Sequence, residues 1–137
     1  MSMIIEERTI KAPLEKVWAI AGDFTRCPVP AWPLEVINQG DASNHRVGCE
    51  RLVKDGKSTY HERLEAINPP HSLSYIMLSG APVKRYIGIV ELSPAGEYTN
   101  VRWSIDIAPK IPCTGWLVNI VARNNLNHFM NELEKIQ

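Results

Sequence analysis

The sequence predicts an α+β fold in which a curved, seven-stranded antiparallel sheet wraps around one long C-terminal helix, with two short helices after strand 1. Three observations support this prediction. Short segments of alternating apolar and polar residues, separated by turn residues at hairpin spacing, occupy most of the chain up to residue 108. Residues 115–136 then change to the period of an amphipathic helix and contain no proline. The 137 residues, of which 45% are apolar, suit one domain with a core of its own.

The N-terminal part predicts one strand followed by two short helices. Residues 3–11 read MIIEERTIK, a β-rich run. Pro13 suits the first turn of a helix that Gly22 and Asp23 close. Residues 24–33 contain several prolines, which exclude long regular structure and predict turns or a short 3₁₀ piece as the second helix.

Six further strands are predicted before the long helix. They cover residues 34–39, 47–54, 58–67, 72–78, 83–92 and 99–108. Asp55-Gly56 is a strong hairpin signal, and hairpin-length connections predict an antiparallel meander rather than βαβ units. One face of such a sheet must be buried, and only the helix at 115–136 is long enough to cover it. We therefore expect a cavity between this helix and the sheet, with loop 78–83 as a lid.

The predicted helix presents an apolar strip with two kinds of members. The first set lies along one line of the helix and comprises Leu117, Ile120, Val121, Asn124 and His128. The second set continues the apolar contacts and comprises Leu126, Phe129, Met130, Leu133 and Ile136. We expect Leu117, Val121, His128 and either Asn124 or Asn125 to face the cavity.

Charge and cysteine content exclude several classes of protein. Lys plus Arg equals Asp plus Glu at 15 each, which argues against nucleic-acid binding and against a polybasic membrane-surface protein. No run approaches the roughly 20 apolar residues of a membrane span. Charged residues interrupt the N-terminus where a signal peptide would be apolar. Cys27, Cys49 and Cys113 are odd in number and widely spaced, which predicts reduced thiols and a cytoplasmic location.

Short strings with a characteristic order and spacing run through the chain. They are IKAPLEKVW from Ile10, GDF from Gly22, WP from Trp32, VGCER from Val47, ERL from Glu62, Tyr75, and VRW from Val101. In these strings the sequence resembles the START-like, helix-grip superfamily, and within it the SRPBCC branch of polyketide cyclase/dehydrase and lipid-transport proteins. The resemblance covers essentially the whole chain and implies one START-like domain over residues 1–137. The resemblance does not indicate one function, because the superfamily includes lipid carriers, hormone receptors and aromatase/cyclases.

Two charged residues are predicted to meet inside the sheet. Alternation in 58–67 places a mostly apolar set on the inner face, namely Tyr60, Glu62, Leu64 and Ala66. The resemblance agrees, because hormone receptors of this superfamily hold an inward glutamate at the position of Glu62. Periodicity leaves both faces of 47–54 open, whereas the resemblance places Arg51 inward. Arg51 and Glu62 could then pair, either as a polar anchor for a ligand or as an ion pair that only keeps strand register.

Aromatic residues complete the candidate site. Tyr75 and Tyr86 lie on strands that face the predicted cavity, and the resemblance makes Tyr86 a lumen residue. Tyrosine hydroxyls in an apolar space suit a binding pocket, although ordinary core aromatics would show the same pattern. The complete set of predicted ligand-binding residues is Arg51, Glu62, Tyr75, Tyr86, Trp103, Trp32, Leu117, Val121, Asn125 and His128.

The sequence shows no motif for a metal or a cofactor. His45, His61 and His71 lack metal-ligand spacing, and the chain has no nucleophile elbow, phosphate loop or dinucleotide fingerprint. We therefore expect no metal and no cofactor.

Three functions remain open. The first is a carrier or sensor that binds a hydrophobic small molecule such as a lipid, a polyketide or an aromatic metabolite. The second is a cyclase or dehydratase with Glu62, Tyr86 and His128 as acid–base groups. The third is a dimerising domain with a vestigial pocket and an exposed apolar patch around Trp32, Val36 and Trp116. The expected partners are an apolar ligand and, at most, a second copy of the chain, as a monomer or homodimer.

Overall fold

A seven-stranded antiparallel sheet organises the computed structural model, which describes residues 2–27, 29–30 and 32–136. Its strands are β1 Ser2–Ile10, β2 Leu34–Asn38, β3 Glu50–Asp55, β4 Ser58–Asn68, β5 Ser72–Ser79, β6 Val83–Ala95 and β7 Tyr98–Pro109. Their spatial order is β1-β7-β6-β5-β4-β3-β2, so the first strand pairs with the last and the others form a meander. The predicted α+β fold and its seven strands are confirmed.

Two α-helices pack against this sheet in the described residues. Helix α1 covers Leu14–Ala21 and helix α2 covers Gly115–Leu133. Pro13 is extended (φ −69°, ψ 157°) and sits directly before α1, where its missing N–H costs nothing. Helix α2 contacts β1 and β7, the strands at one end of the sheet. None of the helices formed by the described residues is both long and apolar enough to cross a membrane.

The prediction of two short helices directly after strand 1 is wrong in part. Between β1 and β2, the described residues form α1 and then turns. The Asp23 carboxylate accepts hydrogen bonds from the backbone N–H and the hydroxyl of Thr25, which favours a turn over a helix. Residues 28 and 31 of the predicted second piece lie outside the described residues. A short 3₁₀ helix, Ala42–Asn44, forms after β2 instead.

A β-bulge changes the predicted inner face of β4. Glu62 and Leu64 are buried as expected, at 7% and 1% exposure. Ala66 is exposed, contrary to the prediction, and Ile67 packs against the core instead. The register with β5 shifts between Leu64 and Ala66, and one extra residue in a strand exchanges its two faces.

The buried face of α2 contains most of the second set of the predicted strip but is rotated away from the first set. Its buried side chains are Ala122, Leu126, Phe129, Met130 and Leu133. The predicted first line of the strip, from Leu117 through Ile120 and Val121 to Asn124 and His128, is exposed along its length. The first two turns of α2 carry apolar residues on more than one side, so their period does not define a single face. Helix α2 therefore buries side chains on the sheet only from Ala122 onward.

Candidate ligand-binding cavity

A cavity of about 420 Å³ separates the inner face of the sheet from the first half of α2. Strands β3 to β7, the loop that contains Gly80, the loop after β7 and helix α2 all contribute to its lining. The volume falls within the range of about 300–1,000 Å³ that is usual for small-molecule pockets. The cavity exists because the sheet curves around α2 while the first turns of the helix bury little against it.

Nine of the ten predicted ligand-binding residues line this cavity. They are Trp32, Arg51, Glu62, Tyr75, Tyr86, Trp103, Leu117, Val121 and Asn125. The tenth, His128, does not line it, because the rotation of α2 turns this residue away. The His128 ring instead lies edge-on against Trp32, with ring centroids 5.9 Å apart. That the nine bind a ligand stays a prediction.

Arg51 and Glu62 form a buried ion pair on the cavity wall. They are directly opposite each other on β3 and β4. Nε and Nη2 of Arg51 each lie 2.9 Å from Oε1 of Glu62, and Nη1 donates a hydrogen bond to the carbonyl oxygen of Phe24 at 3.1 Å. The guanidinium also lies over the Phe24 ring, 3.9 Å from its centroid. Protein groups therefore engage all three nitrogens of Arg51, and the predicted pairing is confirmed.

Three aromatic side chains form a hydrogen-bonded group beside the ion pair. Nε1 of Trp103 donates to the Tyr75 hydroxyl oxygen at 3.2 Å. A second side-chain hydrogen bond joins Tyr86 to Tyr75. Burial raises the pKa of Tyr75, and the nearby Glu62 carboxylate adds to this rise. Burial also raises the pKa of Tyr86. Both hydroxyls therefore stay neutral at physiological pH and act as hydrogen-bond donors.

Gly88 provides the space that Tyr75 occupies. The two residues are directly opposite each other on β5 and β6. A Cβ atom at Gly88 would overlap the Tyr75 ring and its hydroxyl group. A glycine inside a strand that is otherwise rich in β-branched residues is the signal that indicates such a close approach.

The mouth of the cavity is apolar and open to solvent. Ile111, Leu117 and Val121 line the cavity and are also 54%, 49% and 45% exposed. Trp116 and Ile120 lie beside them on α2, at 67% and 58% exposure. Trp116 is exposed, as the predicted apolar patch requires, but Trp32 and Val36 pack against the core and do not belong to an exposed patch.

The predicted lid contributes to the lining. Residues 80–82, which connect β5 to β6, and the first residue of β6, Val83, face the cavity. Gly80 has φ +115°, and a Cβ atom at this position would overlap the backbone carbonyl of Thr59. The loop therefore crosses close to β4, which only glycine allows at this position.

The lining combines apolar walls with a few polar side chains and has no unbalanced charge among the described residues. Arg51 and Glu62 are the charged residues among the described lining residues, and they neutralise each other. In the described part of the chain, no three His, Cys, Asp or Glu side chains gather in an arrangement that could hold a metal ion. The site can thus hold an apolar molecule and direct hydrogen bonds at one part of it.

Solved structures with a similar fold come from several organisms. Protein XoxI from Bacillus cereus is 19% identical, with a TM-score of 0.81 over 98% of this chain and 94% of that chain. A START superfamily protein from Mycobacterium smegmatis is 16% identical, with a TM-score of 0.79 over 96% and 94%. Norcoclaurine synthase from Thalictrum flavum is 17% identical, with a TM-score of 0.77 over 98% and 84%. At these identities the likeness shows the START-like fold alone.

The family comparison is more specific than the structural one. No curated protein matches the sequence. The model of the family described as polyketide cyclase/dehydrase and lipid transport matches residues 3–134. This match spans nearly the whole chain and agrees with the strings identified in the sequence. The chain therefore belongs to the polyketide cyclase/dehydrase and lipid transport family.

Proposed function

We propose that this protein binds a hydrophobic small molecule in the cavity between the sheet and α2, as a carrier or sensor. The observation that carries the proposal is an unfilled cavity of about 420 Å³ with mainly apolar walls and one short polar strip. Apolar walls favour a ligand because each Å² of apolar surface removed from water contributes about 25 cal/mol. The apolar mouth formed by Ile111, Leu117 and Val121 provides a route of entry that suits the same kind of molecule.

Two features favour binding over acid–base catalysis. General acids and bases work best when their pKa lies near the operating pH, and the tyrosine hydroxyls have pKa values that burial raises away from it. His128, the third group of the cyclase or dehydratase hypothesis, lies outside the cavity lining. The pocket is also open rather than filled by side chains, which argues against a vestigial one.

A protein of the same fold supports an aromatic ligand as one candidate. The norcoclaurine synthase structure from Thalictrum flavum contains dopamine and hydroxybenzaldehyde. The present cavity is bordered by Trp32, Tyr75, Tyr86, Trp103 and Phe129, whose rings suit contacts with an aromatic molecule.

Titration with N-phenyl-1-naphthylamine, a neutral apolar fluorophore, tests the proposal. We expect its fluorescence to rise with a single saturable site per chain, because the cavity removes the probe from water. Native mass spectrometry of the same sample should show one bound probe per chain. A linear rise without saturation, and no bound species in the mass spectrum, would contradict the proposal.

Cys27 supplies a local reporter of the same event. This thiol lines the cavity and is partly buried, and burial raises its pKa, whereas Cys113 is exposed. At pH 8 we expect iodoacetamide to modify Cys113 quickly and Cys27 slowly, since less thiolate is present at Cys27. The saturating probe should slow Cys27 further and leave Cys113 unchanged, as measured by peptide mapping. Equal rates at Cys27 with and without the probe would place the probe elsewhere.

A further inference from the structure

We propose that the ligand is electrically neutral and carries a hydroxyl group, which accepts a hydrogen bond from Tyr75 and donates one to Glu62. This inference rests on the proposed binding function and names the chemical class of the ligand. It follows from three properties of the cavity wall: its charge balance, the state of the Tyr75 hydroxyl and the free oxygen of Glu62.

The charge balance of the wall favours a neutral ligand. Arg51 is the cation among the described lining residues, and Glu62 and the Phe24 carbonyl already engage it. A carboxylate ligand would enter a buried space without a free counter-charge, next to the Glu62 carboxylate. Burial of an uncompensated charge is strongly unfavourable, so the cavity selects against fatty-acid-like anions.

The Tyr75 hydroxyl is positioned to donate a hydrogen bond to a ligand. Its oxygen receives the N–H of Trp103, and a side-chain hydrogen bond also joins it to the Tyr86 hydroxyl. A phenolic oxygen has two acceptor positions and one proton. The bond between the two tyrosines uses one of their two hydroxyl protons, so one O–H of the pair is left for an acceptor in the cavity. In the proposed arrangement Tyr86 donates in this bond, and the O–H of Tyr75 is the one that remains.

Glu62 provides the complementary acceptor. All hydrogen bonds from Arg51 to Glu62 end on Oε1. In the described part of the chain no donor reaches Oε2, and this oxygen is not fully buried. The Glu62 side chain keeps 9% of its surface accessible, and it lines the cavity. Oε2 is therefore available to a donor inside the cavity.

The donor and the acceptor are near enough to share one ligand atom. Glu62 on β4 is directly opposite Met77 on β5, and Tyr75 lies two residues before Met77 on the same face. Such diagonal neighbours have Cα atoms about 7–8 Å apart, within reach of long side chains. A hydroxyl oxygen accepts and donates at once, so one alcohol or phenol group satisfies both Tyr75 and Glu62, which an ether or a ketone does not.

A series of naphthalene probes separates these properties at pH 7. Naphthalene has no polar group, 2-methoxynaphthalene accepts only, 2-naphthol accepts and donates, and 2-naphthoate is an anion. We expect calorimetry to show 2-naphthol binding at least about tenfold more tightly than 2-methoxynaphthalene, a difference of about 1.4 kcal/mol. The anion should bind more weakly than either neutral derivative.

Variants of Tyr75 and Glu62 test whether these residues cause the preference for 2-naphthol. In Tyr75→Phe, the advantage of 2-methoxynaphthalene and 2-naphthol over naphthalene should shrink. In the double variant Arg51→Met, Glu62→Met, which removes both buried charges together, the ratio of 2-naphthol to 2-methoxynaphthalene affinity should approach one. The matched surface variant Arg63→Met, Glu65→Met removes a pair that is 37% and 40% exposed and should change none of the four affinities.

The outcomes distinguish this inference from the proposed function. Binding of all four probes with equal affinity, or tightest binding of 2-naphthoate, would overturn the inference and leave the binding function intact. The same holds if N-phenyl-1-naphthylamine binds and 2-naphthol does not. Failure of every probe, including N-phenyl-1-naphthylamine, would overturn both.

Discussion

Replacement of Arg51 by methionine is expected to lower the free energy of unfolding by about 3–5 kcal/mol. The variant leaves the Glu62 carboxylate 7% exposed and without the two nitrogens that now lie 2.9 Å from its Oε1. A buried charge that loses its partner costs much more than the pair contributes as a whole. Urea denaturation at pH 7 measures the loss directly as a shift of the midpoint.

The double variant and a surface control make this prediction specific. In Arg51→Met, Glu62→Met no charge remains unpaired, so most of the lost stability should return. In Arg63→Met the broken pair is exposed to solvent, and the loss should stay below about 1 kcal/mol. If the double variant is as unstable as Arg51→Met alone, the loss comes from packing of the arginine side chain and not from charge.

Replacement of Ala122 by phenylalanine is expected to abolish most of the probe binding. Ala122 is 6% exposed on α2 and lines the cavity, so a ring at this position occupies ligand space. Loss of on the order of 100 Å² of buried ligand surface corresponds to an affinity decrease of the order of 100-fold. Fluorescence titration with N-phenyl-1-naphthylamine measures the change.

Ile120→Phe is the matched control for this variant. Ile120 is 58% exposed on the same helix and is absent from the cavity lining. Its replacement should leave the affinity within about twofold, because a surface substitution of this kind changes little. Ile120→Phe should unfold near the wild-type urea midpoint, and a cooperative urea transition of Ala122→Phe shows that this variant is folded when its affinity is measured. Equal losses of affinity in the two variants would show that the probe binds on the exposed surface of α2.

The strand order and the ion pair could be predicted because hairpins restrict the possibilities. The two residues Gly56 and Lys57 join β3 to β4 in a tight hairpin, which sets Arg51 opposite Glu62 once the inner face of β4 is known. Alternation predicted the inner face of β4 correctly at Glu62 and Leu64. The prediction was wrong at Ala66, where a bulge exchanges the two faces of the strand. Bulges depend on how neighbouring strands curve, and this information is not local in the sequence.

The orientation of α2 could not be predicted for a related reason. Apolar residues surround its first two turns because some line a cavity and others are exposed at its mouth, so no single buried strip exists there. This arrangement turned His128 away from the cavity, where the sequence had suggested an inward position. The contact between Gly88 and Tyr75 was missed because it joins two strands and depends on the exact depth of the tyrosine ring.

A crystal structure of the complex with 2-naphthol tests the central claim most directly. The account predicts density for the naphthalene rings between the sheet and α2, with the hydroxyl oxygen within hydrogen-bond distance of the Tyr75 hydroxyl and of Oε2 of Glu62. Density in the cavity with the hydroxyl group directed elsewhere would refute the inferred ligand class but keep the binding site. A cavity closed by side chains, with 2-naphthol absent or bound only beside Trp116 and Ile120, would contradict the account.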